Sequence, residues 1–81
     1  MKLQHTPRFK RALKRLPVEI QEKFYKQTKH LRRDLRHPSL RAKKYDEGLD
    51  TWQARIDRDV RLYFRIKGSS IVLLDIRHHP K

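Results

Sequence analysis

The sequence predicts an α+β domain in the order βααβββ, with a helical hairpin packed on one face of a small antiparallel sheet. Three observations carry that expectation. Trp52 to Ile66 (WQARIDRDVRLYFRI) alternates strictly, with Trp52, Ala54, Ile56, Val60, Leu62, Phe64 and Ile66 on even positions and mostly polar residues between them. Two stripes of helical spacing precede it, parted by a proline, and a second apolar run, Ile71 to Ile76, follows it. Period-two alternation marks strands with one buried face, and spacings of three and four mark helices with one buried stripe.

Taken from the amino end, Lys2 to His5 reads as a short strand beside the sheet or at its edge. Thr6 then offers an N-cap and Pro7 a first helical residue, and Phe9, Ala12, Leu13 and Leu16 form one stripe. Pro17 ends this helix and opens the next, whose stripe is Ile20, Phe24, Leu31 and Leu35. Glu19 and Glu22 suit its positive amino end, and Arg32, Arg33 and Arg36 suit its carboxyl end. His30 is expected on the exposed side of that helix, and His37-Pro38 stops it, with His37 capping the end. Ser39 to Asp50 reads as a basic loop with Gly48 as its turn point.

The strands have a definite expected register. A slip by one residue would turn each apolar set to solvent. The shortest hairpin through Asp57-Arg58-Asp59 therefore pairs Ile56 with Val60, Arg55 with Arg61, Ala54 with Leu62 and Trp52 with Phe64. Setting Val72, Leu74 and Ile76 inward places them against Ile66, Phe64 and Leu62, and puts Arg77 beside Arg61. Arg55, Arg61 and Arg77 then form a row across three strands on the face without helices. Like charges directly opposite destabilise a sheet, and guanidinium groups suit bidentate recognition of phosphate. The row is accordingly a candidate anion site, with His78 and His79 just beyond it. Trp52 shares the parity of Ala54 and Ile56 and is expected in the core.

WQARIDRDVRLYFRI followed by IVLLDIRHH resembles the carboxyl half of RelE/ParE-superfamily toxins of type II toxin–antitoxin pairs, and is most similar to the RelE/YoeB-like mRNA interferase branch. The shared pattern is an aromatic, an alternating strand closed by a basic residue, an Arg-Leu-aromatic strand, and an aliphatic strand ending near a histidine. With the two helices in front, the resemblance spans nearly all of residues 1–81, read as a single domain. It implies a cognate antitoxin, here expected to be acidic, and many relatives cut mRNA in the A site of the ribosome. By the same resemblance Arg55 matches the basic residue closing the first strand, Arg61 the arginine of the Arg-Leu-aromatic strand, and His79 the terminal histidine. Nuclease members place an aromatic just after that histidine, where Pro80 and Lys81 stand here.

Composition narrows the function further. Twenty-two Lys and Arg against nine Asp and Glu give a formal net charge of +13, which calls for a polyanionic partner, nucleic acid or a very acidic protein. The absence of cysteine rules out disulfides, a thiolate nucleophile and a cysteine zinc site. No apolar amino-terminal region or bilayer-length run is present, so a cytoplasmic protein without a membrane partner is the simplest expectation. No metal-ligand spacing, glycine-rich phosphate loop or nucleophile elbow appears, and neither metal nor cofactor is expected. Protease and nucleotide-hydrolase readings find no support.

RNA cleavage without a metal fits what remains, because RNA carries its own nucleophile, the 2′-OH. Arg55, Arg61 and Arg77 are the candidate phosphate clamp, and His79 the candidate general acid. The base is open between Glu47, Lys43, Lys44 and His78. Lys43, Lys44, Tyr45, Arg58, Tyr63, Arg65 and His78 are candidates to hold RNA, the two tyrosines by stacking on a splayed base. Two further readings stay open: an inhibitor of DNA gyrase, as in the ParE branch, and a nucleic-acid- or antitoxin-binding domain without activity.

Overall fold

The structure is a computed structural model and describes residues 1–79. Strand β1 (Lys2–His5) leads into helices α1 (Pro7–Lys14) and α2 (Val18–Arg33), a single 3-10 turn at Pro38–Leu40, and then strands β2 (Lys43–Asp46), β3 (Thr51–Arg55), β4 (Val60–Lys67) and β5 (Ser70–His78). The five strands form one sheet in the order β1-β5-β4-β3-β2. β1 runs parallel to β5 at one edge, and the other neighbours are antiparallel. Among the described residues, no helix is long and apolar enough to cross a membrane.

Thr6 joins the two layers. Its Oγ1 accepts from Phe9 N–H at 3.2 Å, capping α1, and donates to the Leu73 carbonyl of β5 at 2.7 Å. The helices then lay Phe9, Leu13, Phe24 and Leu31 over the even-numbered face of the hairpin, against Ala54, Ile56, Val60, Leu62 and Phe64. Helix α2 stops at Arg33, short of the expected Arg36, because Asp34 turns extended and its Oδ1 accepts from Arg36 N–H at 2.9 Å.

The central pairing has the expected register, with Trp52 opposite Phe64, Ala54 opposite Leu62 and Arg55 opposite Arg61. The last strand departs from it. Leu62 pairs with Ile76 and Arg61 with Arg77 as expected, but Phe64 pairs with Leu73 and Ile66 with Ile71. A bulge at Leu74 absorbs one residue, so Ile71, Leu73 and Ile76 all reach the core, where Val72, Leu74 and Ile76 were expected. In the run Ile71-Val72-Leu73-Leu74 every residue is apolar, and alternation cannot choose a face.

The expected basic loop is also corrected. Lys43–Asp46 forms the second edge strand, paired with β3 through Lys43–Gln53 and Lys44–Trp52, with an irregularity at Tyr45. The chain returns through a turn in which Asp46 Oδ1 accepts from Leu49 N–H at 3.1 Å and Asp50 adopts φ 51°. Such short edge strands carry too little apolar sequence to announce themselves.

Candidate functional site

The face of the sheet away from the helices is shaped in its centre by the odd-numbered residues of β3 and β4. Gln53 and Tyr63 are buried there although they point away from the main core. Around them the face divides into two adjoining recesses.

The first recess, about 210 Å³, is lined by Arg41, Lys43, Gln53, Arg55, Arg61 and His79. Arg55 and Arg61 lie directly opposite one another on β3 and β4. His79 is brought alongside by its backbone N–H, which donates to the Asp59 carbonyl of the hairpin loop. Arg61 is tied in place: its Nη1 donates to the carbonyls of Asp57 at 2.9 Å, Val60 at 3.2 Å and Arg58 at 3.3 Å. Neutral carbonyls leave the guanidinium its full charge, so the geometry is fixed and the cation stays available to an anion.

The loop beneath Arg61 is set by Asp57, whose Oδ1 accepts from the N–H groups of Asp59 at 2.7 Å and Val60 at 3.2 Å, while Oδ2 meets Lys23 Nζ of α2 at 3.1 Å. Burial alone would raise the Asp57 carboxyl; the donors outweigh it and hold it below the ordinary carboxylate value. A depressed folded pKa gives stability that is present above the unfolded value and lost as pH falls through the folded one. Asp57→Ala is therefore expected to lose about 1–3 kcal/mol at neutral pH. The difference from wild type should shrink on acidification, as followed by urea unfolding at several pH values; a loss independent of pH would contradict this account.

Arg41 escaped sequence reasoning. It sits at the end of the 3-10 turn with φ 45° and ψ 43°, a left-handed conformation costing a non-glycine residue roughly 1–2 kcal/mol. Gln27 of α2 holds the turn: its Nε2 donates to the carbonyls of Ser39 at 3.1 Å and Arg55 at 2.9 Å, and its Oε1 accepts from Ser39 Oγ at 3.2 Å. His37 Nδ1 accepts from Ser39 N–H at 3.2 Å, and its ring stacks on His30 at 3.8 Å between centroids. No sequence motif marks this arrangement. The only available signal was that Arg41, Lys43 and Gln53 share the parity of the arginine row.

The expected row of three is present in the backbone, but the Arg77 side chain turns toward the second recess. Its guanidinium lies 4.6 Å from the Tyr63 ring centroid and 3.7 Å from Asp75 Oδ2. Tyr63 above all, with help from Asp75, keeps it charged beyond its ordinary range. The Tyr63 ring is only 4 % exposed and is also met by the Tyr45 ring at 4.8 Å and 66°, so no face of it is free for a base. Tyr45 and Arg65 line this second recess as well.

The remaining candidates scatter. Lys44 lies on the helix side of the sheet, 5.3 Å from the Trp52 ring centroid and paired with Asp50, whose hydrogen bond raises its pKa and keeps it protonated. Arg58 lies on the far side of the hairpin, by Lys23 and Lys26 of α2. His78 is opposite Val60 and exposed. Of the four candidate bases, Lys43 alone lines the first recess. Among the described residues, no group of three or more His, Asp or Glu side chains could hold a metal ion. Pro80 and Lys81, standing where nuclease relatives carry an aromatic, lie outside the described residues.

Comparison with known proteins places the fold. A search of curated proteins finds no match. Among solved structures, the YoeB/ParE toxin from Agrobacterium tumefaciens superposes with a TM-score of 0.79 at 19% identity, covering 99% of this chain and 100% of that one. The YoeB dimer from Staphylococcus aureus gives 0.80 at 15% identity, covering 99% and 98%. The archaeal RelE–RelB complex from Pyrococcus horikoshii gives 0.77 at 17% identity, covering 95% and 92%. At these identities the likeness establishes the fold. The family description that matches residues 3–81 is that of the ParE toxin of the type II toxin–antitoxin system, and since it takes in nearly the whole sequence, this chain belongs to that family of toxins.

Proposed function

We propose that the chain is a metal-independent endoribonuclease that cuts mRNA on the ribosome. The observation that supports this reading is the convergence of four cations, Arg41, Lys43, Arg55 and Arg61, with His79 around one recess on the helix-free face. A scissile phosphate seated there meets charge aimed at its non-bridging oxygens, where negative charge grows in the transition state. The 2′-oxygen attacks phosphorus and its proton passes to solvent, while Lys43 stays with the arginines as a cation at the phosphate. The P–O5′ bond breaks, and His79 gives a proton to the leaving 5′-oxygen. The products are a 2′,3′-cyclic phosphate and a 5′-hydroxyl.

A cognate antitoxin is the natural protein partner in this reading, since the Pyrococcus relative is a RelE–RelB complex. An acidic segment would neutralise the net charge of +13. The second reading, inhibition of DNA gyrase as in the ParE branch, is favoured by the family match itself and needs no acid–base pair. Induced expression followed by mapping of mRNA 5′ ends separates the two. New 5′-hydroxyl ends within coding regions are expected; growth arrest with double-strand DNA breaks and intact mRNA would establish the gyrase reading instead.

A further inference from the structure

The second recess, about 450 Å³, adjoins the cation cluster on the same face. The step between them is the same on three strands: Lys43 to Tyr45 on β2, Gln53 to Thr51 on β3, Arg61 to Tyr63 on β4. Two residues along a strand advance about 7 Å, so a nucleotide whose phosphate sits among the cations can carry its base into this recess.

Its chemistry is both aromatic and charged. Tyr45 is 52 % exposed, with its ring braced against Tyr63. Asp75 Oδ2 lies 3.6 Å from Arg8 Nη2 and 3.7 Å from Arg77 Nη1, orienting two guanidinium groups at the rim. Asp46 is fixed by the Leu49 N–H on its Oδ1. Arg65 lines the recess and is half-buried; its Nε is enclosed and has no hydrogen-bond partner among the described residues, so its terminal nitrogens are the ones left to meet an acceptor in the recess.

We propose that this recess selects a guanine base in single-stranded RNA, stacked on Tyr45 and read by Arg65 and Asp46. The proposal rests on the RNA-binding reading of the neighbouring cluster and adds which base it prefers. Guanine alone has two adjacent acceptors, O6 and N7, on one edge, and adjacent donors, N1–H and N2–H2, on its Watson–Crick edge. Arginine pairs with the first set, and a carboxylate accepts from the second. Adenine turns its N6 amino group, a donor, toward the arginine. Cytosine likewise presents an amino group, and uracil offers one N–H to the carboxylate. An acidic peptide would satisfy Arg65 but would meet repulsion from Asp46 and Asp75.

The test is an NMR titration of the free chain with GMP, AMP, CMP and UMP, repeated on Tyr45→Ser and Asp46→Asn, both on the exposed edge strand. GMP is expected to bind about tenfold tighter than the other three, the discrimination one good base-edge pair supplies, and to shift the signals of Tyr45, Asp46 and Arg65. Tyr45→Ser should weaken all four nucleotides. Asp46→Asn, which keeps an acceptor for Leu49 but presents an amide donor to the base, should weaken GMP alone. Equal affinities for the four nucleotides, shifts confined to Arg41, Lys43, Arg55 and His79, or unaltered GMP preference in Asp46→Asn would each overturn the proposal. So would shifts at the recess caused by a purified antitoxin and by none of the nucleotides, which would assign the recess to the protein partner. A chain that binds GMP here and leaves mRNA uncut loses the nuclease reading and keeps the guanine site. A chain that cuts mRNA but binds the four nucleotides alike keeps the nuclease reading and loses the site.

Discussion

Arg61→Ala is expected to slow RNA cleavage on the order of a hundredfold or more, the loss seen when one preorganised donor to a developing negative charge is removed. The loss should lie in the single-turnover rate, with oligonucleotide affinity nearly kept, because affinity is shared among many cations. Arg61 also ties down the Asp57, Arg58 and Val60 carbonyls, so part of its effect is positional. Arg61→Lys isolates that part. It retains a positive charge but lacks the planar fork that serves carbonyl and phosphate together, and most of the rate should still be lost. His79→Ala should slow cleavage too, with binding retained. If it leaves the rate unchanged while Arg61→Ala abolishes it, the acid must be sought at Lys43, because Lys44 and His78 do not line the recess. If neither change reduces toxicity in cells, the nuclease reading falls.

The parts of this molecule legible in its sequence are those where polar and apolar residues alternate without ambiguity. Ala54, Ile56, Val60 and Leu62 could face only one way, so the hairpin register and the opposition of Arg55 to Arg61 followed. Alternation failed where it carried no information. Ile71 to Leu74 would bury either parity, and a bulge, which no residue type announces, decided the matter. Edge strand β2 was invisible because Lys43 to Asp46 offers Tyr45 as its sole nonpolar side chain, and its pairing comes from β3. Backbone register also fixes where a side chain starts but not where it ends. Arg77 begins in the arginine row and finishes on Tyr63, drawn there by an aromatic face and Asp75. Arg41 joins the cluster from a left-handed turn held by Gln27, a tertiary contact over 28 residues from helix to strand that local pattern cannot register. Trp52, expected in the core, is partly exposed near its edge, stacked on Phe64 and covered by Lys44.

That last correction changes which aromatic matters most to stability, and Phe24→Ala is expected to be the most damaging substitution of the two. The Phe24 side chain is fully buried, with Phe9 5.2 Å away, Tyr25 at 5.1 Å and the His5 ring at 6.3 Å between centroids. It joins α2, α1 and β1 over the sheet, so its loss leaves a void that three elements must collapse to fill. Truncating a buried phenylalanine destabilises by about 3–5 kcal/mol, and a domain of this length has roughly 4–12 kcal/mol in total. Phe24→Ala should thus leave a large unfolded fraction at 37 °C, measured by circular dichroism in urea, and should abolish toxicity without touching either recess. Trp52→Ala should lose less, because the ring is already partly in water and Lys44 can settle over Phe64 in its place. A greater loss of stability in Trp52→Ala than in Phe24→Ala would mean that the sheet, not the helix–sheet contact, is the part of the core on which folding depends.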